Sequence, residues 1–219
     1  MIDPLAPRNP NEGPAESLLA ADGSSWPFRH LLRSHYRALL VDPAWTFSGG
    51  KKGRPQHYDR MTDRELMRLP IEELAHPDGC WLFLWTTSPR LLLTPRIVDA
   101  WGFRYSGRAF VWVKTQRGQA PERRLHMGHG YTTRKNAEDC LLFRRGCPKR
   151  RNADVHEVII APAREHSRKP DEQYERIERF AEGPYLELFA RSTRPGWSSW
   201  GREVTKFDPQ SAPDGEERS

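Results

Sequence analysis

A chain of 219 residues, 37% hydrophobic and 29% charged, is long enough for one domain with a full core and short for two. Three cysteines, Cys80, Cys140 and Cys147, form neither an even set nor a metal-type pair, and no apolar run reaches bilayer length. Those two features exclude a disulfide scaffold and a helical membrane protein. The first residues carry acid and proline where a secretion signal would be basic and then apolar, so a reducing, cytoplasmic setting is expected. The net charge of +6, mostly from arginine, suits an acidic polymer as partner, although a modest positive charge also simply keeps a small protein soluble. Its distribution favours the first reading. Arg117, Arg123, Arg124, Arg134, Lys135, Arg144, Arg145, Lys149, Arg150 and Arg151 crowd one third of the chain, which reads as a nucleic-acid face.

In chain order, residues 1–25 are rich in Pro, Gly, Ala, Asn and Ser without apolar periodicity and are expected to be disordered, like the tail 208–219; residues 26–207 form the expected domain. Strands are predicted over Arg37 to Asp42, Trp81 to Thr87, Ala109 to Lys114, Glu138 to Phe143, Val155 to Ile160 and Tyr185 to Ala190, each short, apolar and rich in aromatic or β-branched residues. Between the first two, Thr62-Asp63-Arg64-Glu65 has the form of a capping box ahead of Leu66, Leu69 and Ile71. Ser88-Pro89 opens a second helical segment running to Ala100. Pro170 opens a third, with Tyr174, Ile177, Phe180 and Ala181 at helical intervals. Strands alternating with helices predict an α/β sandwich with a mostly parallel sheet, whose ligands bind beyond the carboxyl ends of the strands. Asp42 and Arg191 both lie there in this reading.

The first strand runs into Asp42-Pro43-Ala44-Trp45, which places a carboxylate, two backbone carbonyls and an aromatic ring at a strand end. An exocyclic amine on a flat base is a poor nucleophile because its lone pair is delocalised into the ring. An enzyme that alkylates it must accept the amine protons and hold the ring still. Asp42 and the carbonyls of Pro43 and Ala44 are suited to the first task, and Trp45 to stacking. The same four residues are also an ordinary strand-ending turn, since Asp-Pro favours turn initiation. Ser48-Gly49-Gly50-Lys51-Lys52-Gly53-Arg54 reads as a basic, flexible loop for phosphate contact, with Lys51 and Lys52 foremost, or as a plain solvated loop. Residues 116–136 read as a second substrate-facing loop or a partner interface, and Arg134 within it and Lys114 just ahead of it are expected substrate contacts. His126 and His129 stand there without carboxylate or thiol companions, so no metal is expected.

Further blocks follow the acid-proline motif: His57-Tyr58-Asp59-Arg60-Met61, Trp81-Leu82-Phe83-Leu84-Trp85, Val111-Trp112-Val113-Lys114-Thr115, Ser167-Arg168-Lys169-Pro170-Asp171-Glu172 and Leu186-Glu187-Leu188-Phe189-Ala190-Arg191, then Gly196-Trp197 and Trp200-Gly201. In this order the chain resembles the MT-A family of S-adenosylmethionine-dependent N6-adenine methyltransferases, over about residues 36 to 205. The family includes the catalytic subunit of the messenger-RNA adenosine methyltransferase and many bacterial and phage proteins. The resemblance implies a Rossmann-like fold in permuted order, with the acid-proline motif ahead of the main cofactor strand. No Gly-x-Gly-x-x-Gly fingerprint is present, which argues against a nicotinamide enzyme.

By the same resemblance, S-adenosylmethionine is the cofactor, and Asp42, Lys169, Glu187, Phe189, Arg191, Arg202 and Glu203 are its contacts. Lys169 would meet the methionine carboxylate, Arg191 the ribose side, and Arg202 with Glu203 the nucleoside end; Glu187 would orient Lys169 or meet the cofactor itself. Tyr58 resembles the tyrosine that closes over the target adenine. Two positions depart from the family pattern: Ala44 replaces its second proline, which relaxes the backbone because only proline fixes φ, and Arg202 stands where relatives more often carry Asn. The implied activity is N6-adenine methylation of DNA, with RNA methylation and a non-catalytic nucleic-acid platform as alternatives. The expected partner is nucleic acid, the protein acting as monomer, homodimer or beside a partner subunit.

Overall fold

The computed structural model describes residues 26–43, 45, 61–117, 124–128, 133–165 and 168–208. Residues 26–30 cluster apart from the rest, as a turn in which Trp26 and Phe28 meet edge to face at 5.2 Å. In the main body, strands β1 (Ala38–Val41), β2 (Gly79–Thr86), β3 (Arg104–Thr115), β4 (Ala137–Gly146), β5 (Val158–Pro162), β6 (Tyr185–Leu188) and β7 (Trp197–Trp200) form one sheet in the order β5-β3-β4-β2-β1-β6-β7. Helices α1 (Asp63–Met67), α2 (Thr94–Ala100) and α3 (Glu172–Phe180) connect them. Among the described residues no helix is long and apolar enough to cross a membrane.

The expected α/β architecture and mostly parallel sheet are present. Strand β1 pairs in parallel with β2 and β6, β6 with β7, and β3 with β5, while β4 runs antiparallel to both its neighbours. The central strand β1 is buried at all four positions, as a strand covered on both faces must be. Strand β7 was not anticipated, because Trp197-Ser198-Ser199-Trp200 is too short and polar to announce itself.

Alternation along the strands divides the core into two layers. Leu40, Phe83, Trp85, Phe110, Trp112, Cys140 and Ile159 form one cluster with Tyr174, Ile177 and Ala181 around α3. Leu39, Val41, Leu82, Leu84 and Phe143 are buried from the opposite face. In that second layer α1 and α2 are joined by Trp101, whose indole N–H donates to the Leu66 carbonyl at 2.8 Å.

The helices are shorter than the pattern suggested. The capping box at Thr62 forms as read: its side chain accepts from the Glu65 amide, and the Glu65 carboxylate accepts from the Thr62 amide at 2.7 Å. Pro70 then ends α1, leaving Ile71 on a 3-10 turn. The segment from Ser88 is interrupted for a similar reason. Pro95 has no N–H to offer the Leu91 carbonyl and would clash with it, so a 3-10 turn at Ser88–Arg90 is followed by a fresh start at Thr94.

The basic third of the chain does not form one face. Lys114, Arg117, Arg124, Arg134 and Lys135 lie near the start of β4, with Thr115 bridged to Leu125 and Gly128 to Lys135. Arg144 and Arg145 lie at its other end, about 30 Å away along a ten-residue strand. There Arg145 donates to the Gly102 carbonyl, and the Arg151 amide donates to the Phe180 carbonyl at the end of α3. A cluster in sequence is thus split by a strand that crosses the sheet.

Trp101 is fully buried and bonded, so Trp101→Ala is expected to lower stability by about 3–5 kcal/mol through lost packing and the lost indole hydrogen bond to the Leu66 carbonyl. Urea denaturation of the two proteins measures it.

Candidate active site

Parallel strands β1, β2 and β6 deliver their carboxyl ends to one edge of the sheet, with Val41 opposite Leu84 and Leu188. Because β4 is antiparallel, its first residues reach that same edge, and Glu138 stands opposite Trp112 in β3, two residues before Lys114. Lys169 arrives from the connection between β5 and α3, where Ala163 donates to the Thr115 carbonyl and Arg164 pairs with Asp171 at 2.6 Å. Four elements far apart in sequence therefore meet.

Their charges alternate. Lys169 Nζ lies 2.7 Å from Asp42 Oδ2 and 3.5 Å from Glu138 Oε2, and Lys114 donates to the other Glu138 oxygen. The Lys169 ammonium also lies 5.5 Å from the centre of the Trp85 ring. Lys169 is 9% exposed and Asp42 17%, so these are contacts of low solvation. Burial opposes the Lys169 charge, but Asp42 and then Glu138 outweigh it and hold its pKa above the usual range. Burial would likewise raise Glu138, yet Lys169 and Lys114 prevail and keep its carboxyl below the usual range. Lys169 and Glu138 therefore both stay charged. Beneath them Cys140 is buried, and that burial pushes its thiol well up.

Glu187 is next along the edge, on β6. Tyr174 of α3 donates to it at 2.9 Å. Burial raises the Glu187 carboxyl to about 7, the nearby Asp42 charge adding to the rise while the Tyr174 hydrogen bond, Lys169 and Arg191 oppose it. A cavity beside these residues is lined by Asp42, Lys169, Glu187, Phe189, Arg191 and Phe207 among others. Phe189 adopts φ +62, a left-handed turn that costs a non-glycine residue about 1–2 kcal/mol and swings the chain outward directly after β6. Behind it Gly201 is required by close approach, since a Cβ there would sit 2.5 Å from the Ala190 carbonyl oxygen. Arg191 lies 3.9 Å from Glu203, and its carbonyl accepts from the Phe207 amide at 2.9 Å. Asp208, read from sequence as the start of the tail, accepts from the Thr193 amide and hydroxyl.

The structure thus gathers Asp42, Lys169, Glu187, Phe189 and Arg191 around one cavity, with Glu203 in contact through Arg191. Arg202 follows Gly201 but does not line that cavity. Arg134 is exposed, on the segment leading into β4. Lys114 serves the buried ion line and does not stand free for a substrate. Trp45 lies at the edge of this arrangement. It is only 5% exposed, its indole N–H donates to the Trp85 carbonyl at 3.1 Å, and the Arg90 guanidinium lies over the ring at 5.3 Å. The Pro43 carbonyl already accepts from the Trp45 amide at 2.9 Å and retains one lone pair. Ala44, Lys51, Lys52 and Tyr58 lie outside the described residues, as does the whole of the Ser48 to Arg54 loop.

Sequence reasoning missed Glu138, Tyr174 and Phe207. The signal for Glu138 was slight: an acid two residues ahead of the buried Cys140, which is an expensive position unless paired.

A family model described as MT-A70 matches residues 36–203, the span holding every element of this edge. The chain belongs to the MT-A70 family. The motif resemblance is borne out by that match. It is similar to a putative N(6)-adenosine-methyltransferase MT-A70-like protein of Medicago truncatula, 33% identical over 182 residues, covering 81% of this chain and 28% of that protein. The type II methyltransferase M.MunI of Mycoplasma sp is 29% identical, with 81% of both chains covered. The N(6)-adenosine-methyltransferase catalytic subunit METTL3 of Homo sapiens is 32% identical over 77% of this chain and 28% of its own. This MT-A70 chain therefore spans under a third of the plant relative and of METTL3, and most of the type II enzyme.

One consequence concerns pH. Glu187 ionises near 4.5 when unfolded and near 7 when folded, so the folded chain holds the extra proton between these values. Its contribution to stability is complete below about pH 4.5 and is lost as pH rises through about 7, a fall of about 3 kcal/mol. Glu187→Gln is expected to flatten that part of the stability profile, measured by urea denaturation between pH 5 and 8.

Proposed function

We propose that this MT-A70 chain is an S-adenosylmethionine-dependent N6-adenine methyltransferase and that it acts on DNA. The contact between Asp42 and Lys169 at the carboxyl edge of the sheet carries the reading. A methyl donor of this kind presents an ammonium, a carboxylate and a ribose diol. The residues fit each of them: Lys169 is a point charge for a carboxylate, Glu187 and Asp42 accept from ammonium or hydroxyl groups, and Arg191 offers a planar donor beside the same cavity. S-adenosylmethionine supplies an electrophilic methyl group on sulfur when bound.

The chain's own residues orient and deprotonate. The Asp42 carboxylate accepts one proton of the adenine amine, and the free lone pair of the Pro43 carbonyl accepts the other, which aims the nitrogen lone pair for in-line attack. Lys169 holds Asp42 in that position while Glu138 holds Lys169. The surplus proton leaves the amine to Asp42 or to solvent. In a duplex the target base must leave the stack to reach this edge, which favours unpaired or distorted sites.

The match to a type II methyltransferase over 81% of its length favours DNA. RNA is the second reading, favoured by the 32% identity to METTL3. A cytoplasmic location and action as a monomer, as a homodimer or beside a partner subunit complete the proposal.

The test is methyl transfer from labelled S-adenosylmethionine to matched single-stranded DNA, duplex DNA and RNA, followed by nucleoside mass spectrometry. N6-methyldeoxyadenosine is the expected product; N6-methyladenosine in RNA alone would replace the substrate, and no product with bound cofactor would favour a non-catalytic platform. Asp42→Ala is expected to lower kcat by about 10²- to 10⁴-fold with the fold intact. Lys169→Ala is expected to weaken cofactor binding about tenfold or more, seen by calorimetry, because it removes a charge-assisted contact and leaves Asp42 and Glu138 facing each other.

A further inference from the structure

Arg90 lies outside the ion line and the cavity, at the end of the 3-10 turn that follows β2. Its side chain is 12% exposed. The backbone around it is fixed: its amide donates to the Thr87 carbonyl at 2.8 Å, and its own carbonyl accepts from the Leu93 amide and the Thr94 hydroxyl, both at 2.9 Å. Thr94 is in turn bonded to Thr86, the last residue of β2, at 2.7 Å. From this rigid base the guanidinium reaches two groups. It covers the Trp45 ring at 5.3 Å, and it pairs with Asp63, the first residue of α1. Arg90 Nε is buried with no acceptor among the described residues, an arrangement that costs about 1–3 kcal/mol unless other contacts compensate.

Trp45 is the residue so held, and it is three positions from Asp42. Its indole donates to the Trp85 carbonyl, its amide closes the turn onto the Pro43 carbonyl, and it is bridged to Met61, next to the Thr62 cap of α1. On the other side, the Asp42 amide donates to the Leu188 carbonyl of β6 at 3.5 Å. The carboxylate is therefore located by β1 from behind and by Trp45 from ahead.

We infer that Arg90 is a positioning residue: lying over the Trp45 ring and paired with Asp63, it sets the Asp42 carboxylate against Lys169. The inference rests on the methyltransferase reading for its effect on rate, and on geometry alone for the clamp. Arginine suits the position because one guanidinium has several donors in a fixed fork, so it can pair with Asp63 while its carbon stays 5.3 Å from the centre of the indole, whereas a lysine ammonium has a single charged atom for both contacts. Misplacement of a reacting group by about 1 Å can cost about 10²-fold in rate, so loosening the turn acts on kcat. Lys169 and Glu187 do not touch Arg90, and cofactor affinity is untouched.

The experiment compares the full chain with Arg90→Ala, Arg90→Lys and Asp63→Asn by amide hydrogen exchange, cofactor calorimetry and methyl-transfer kinetics. In Arg90→Ala the Trp45 amide is expected to exchange at least about tenfold faster while Leu39 to Val41 in β1 keep their protection, with kcat down about 10- to 100-fold and the S-adenosylmethionine Kd within about twofold. Arg90→Lys and Asp63→Asn should fall between wild type and Arg90→Ala in both exchange and kcat. Unchanged Trp45 exchange overturns the clamp, and so does faster exchange with wild-type kcat. If β1 also loses protection in Arg90→Ala, the two milder variants decide by the same criteria. If the wild-type chain methylates no adenine substrate, the functional reading fails, and Trp45 exchange by itself still upholds or overturns the clamp.

Discussion

Lys114, Glu138, Lys169 and Asp42 form a line of alternating charge at the carboxyl edge of the sheet, and the rest of the site is arranged around it. Each member is largely withdrawn from water, where an uncompensated charge costs several kcal/mol. No member is therefore independent of its neighbours. Lys169 keeps its proton because two carboxylates face it, and Glu138 keeps its charge because two ammonium groups do. Electrostatic order of this kind fixes direction as well as charge, and it is what leaves the Asp42 carboxylate aimed outward from β1.

The line exists only because of one reversal in the sheet. Were β4 parallel, Glu138 would lie at the amino edge, far from Asp42. Running antiparallel between β2 and β3, it brings its first residues to the edge where β1, β2 and β6 end. The same reversal carries Arg144 and Arg145 away from that edge, so the basic third of the chain is divided between two ends of the molecule. Nucleic acid approaching Asp42 would meet the arginines near the start of β4, not those at its end.

A second carboxylate, Glu187, shows how burial assigns different states to similar groups. Glu138 faces two ammonium groups and stays ionised; Glu187 faces a tyrosine hydroxyl and the Asp42 charge, and its pKa rises to about 7. At neutral pH it is poised between acceptor and donor. A ligand that donates hydrogen bonds to it would favour the ionised form, which couples binding to proton release.

The sequence by itself determined the α/β class, the capping box at Thr62, the central strands and the family, because these rest on local periodicity and on short motifs whose residues are adjacent. It also named Asp42, Lys169, Glu187, Phe189 and Arg191, through the family motif, without indicating that they share one cavity. What only the tertiary structure decided depends on pairing between distant segments. The reversal of β4, the short β7, the recruitment of Glu138 and Lys114 into one ion line, and the enclosure of Trp45 under Arg90 are all set by which strand lies beside which. An aromatic ring next to an acid looks the same in sequence whether it faces a substrate or a guanidinium. Burial is a property of the whole fold, and neither a residue's type nor its spacing records which neighbour will cover it.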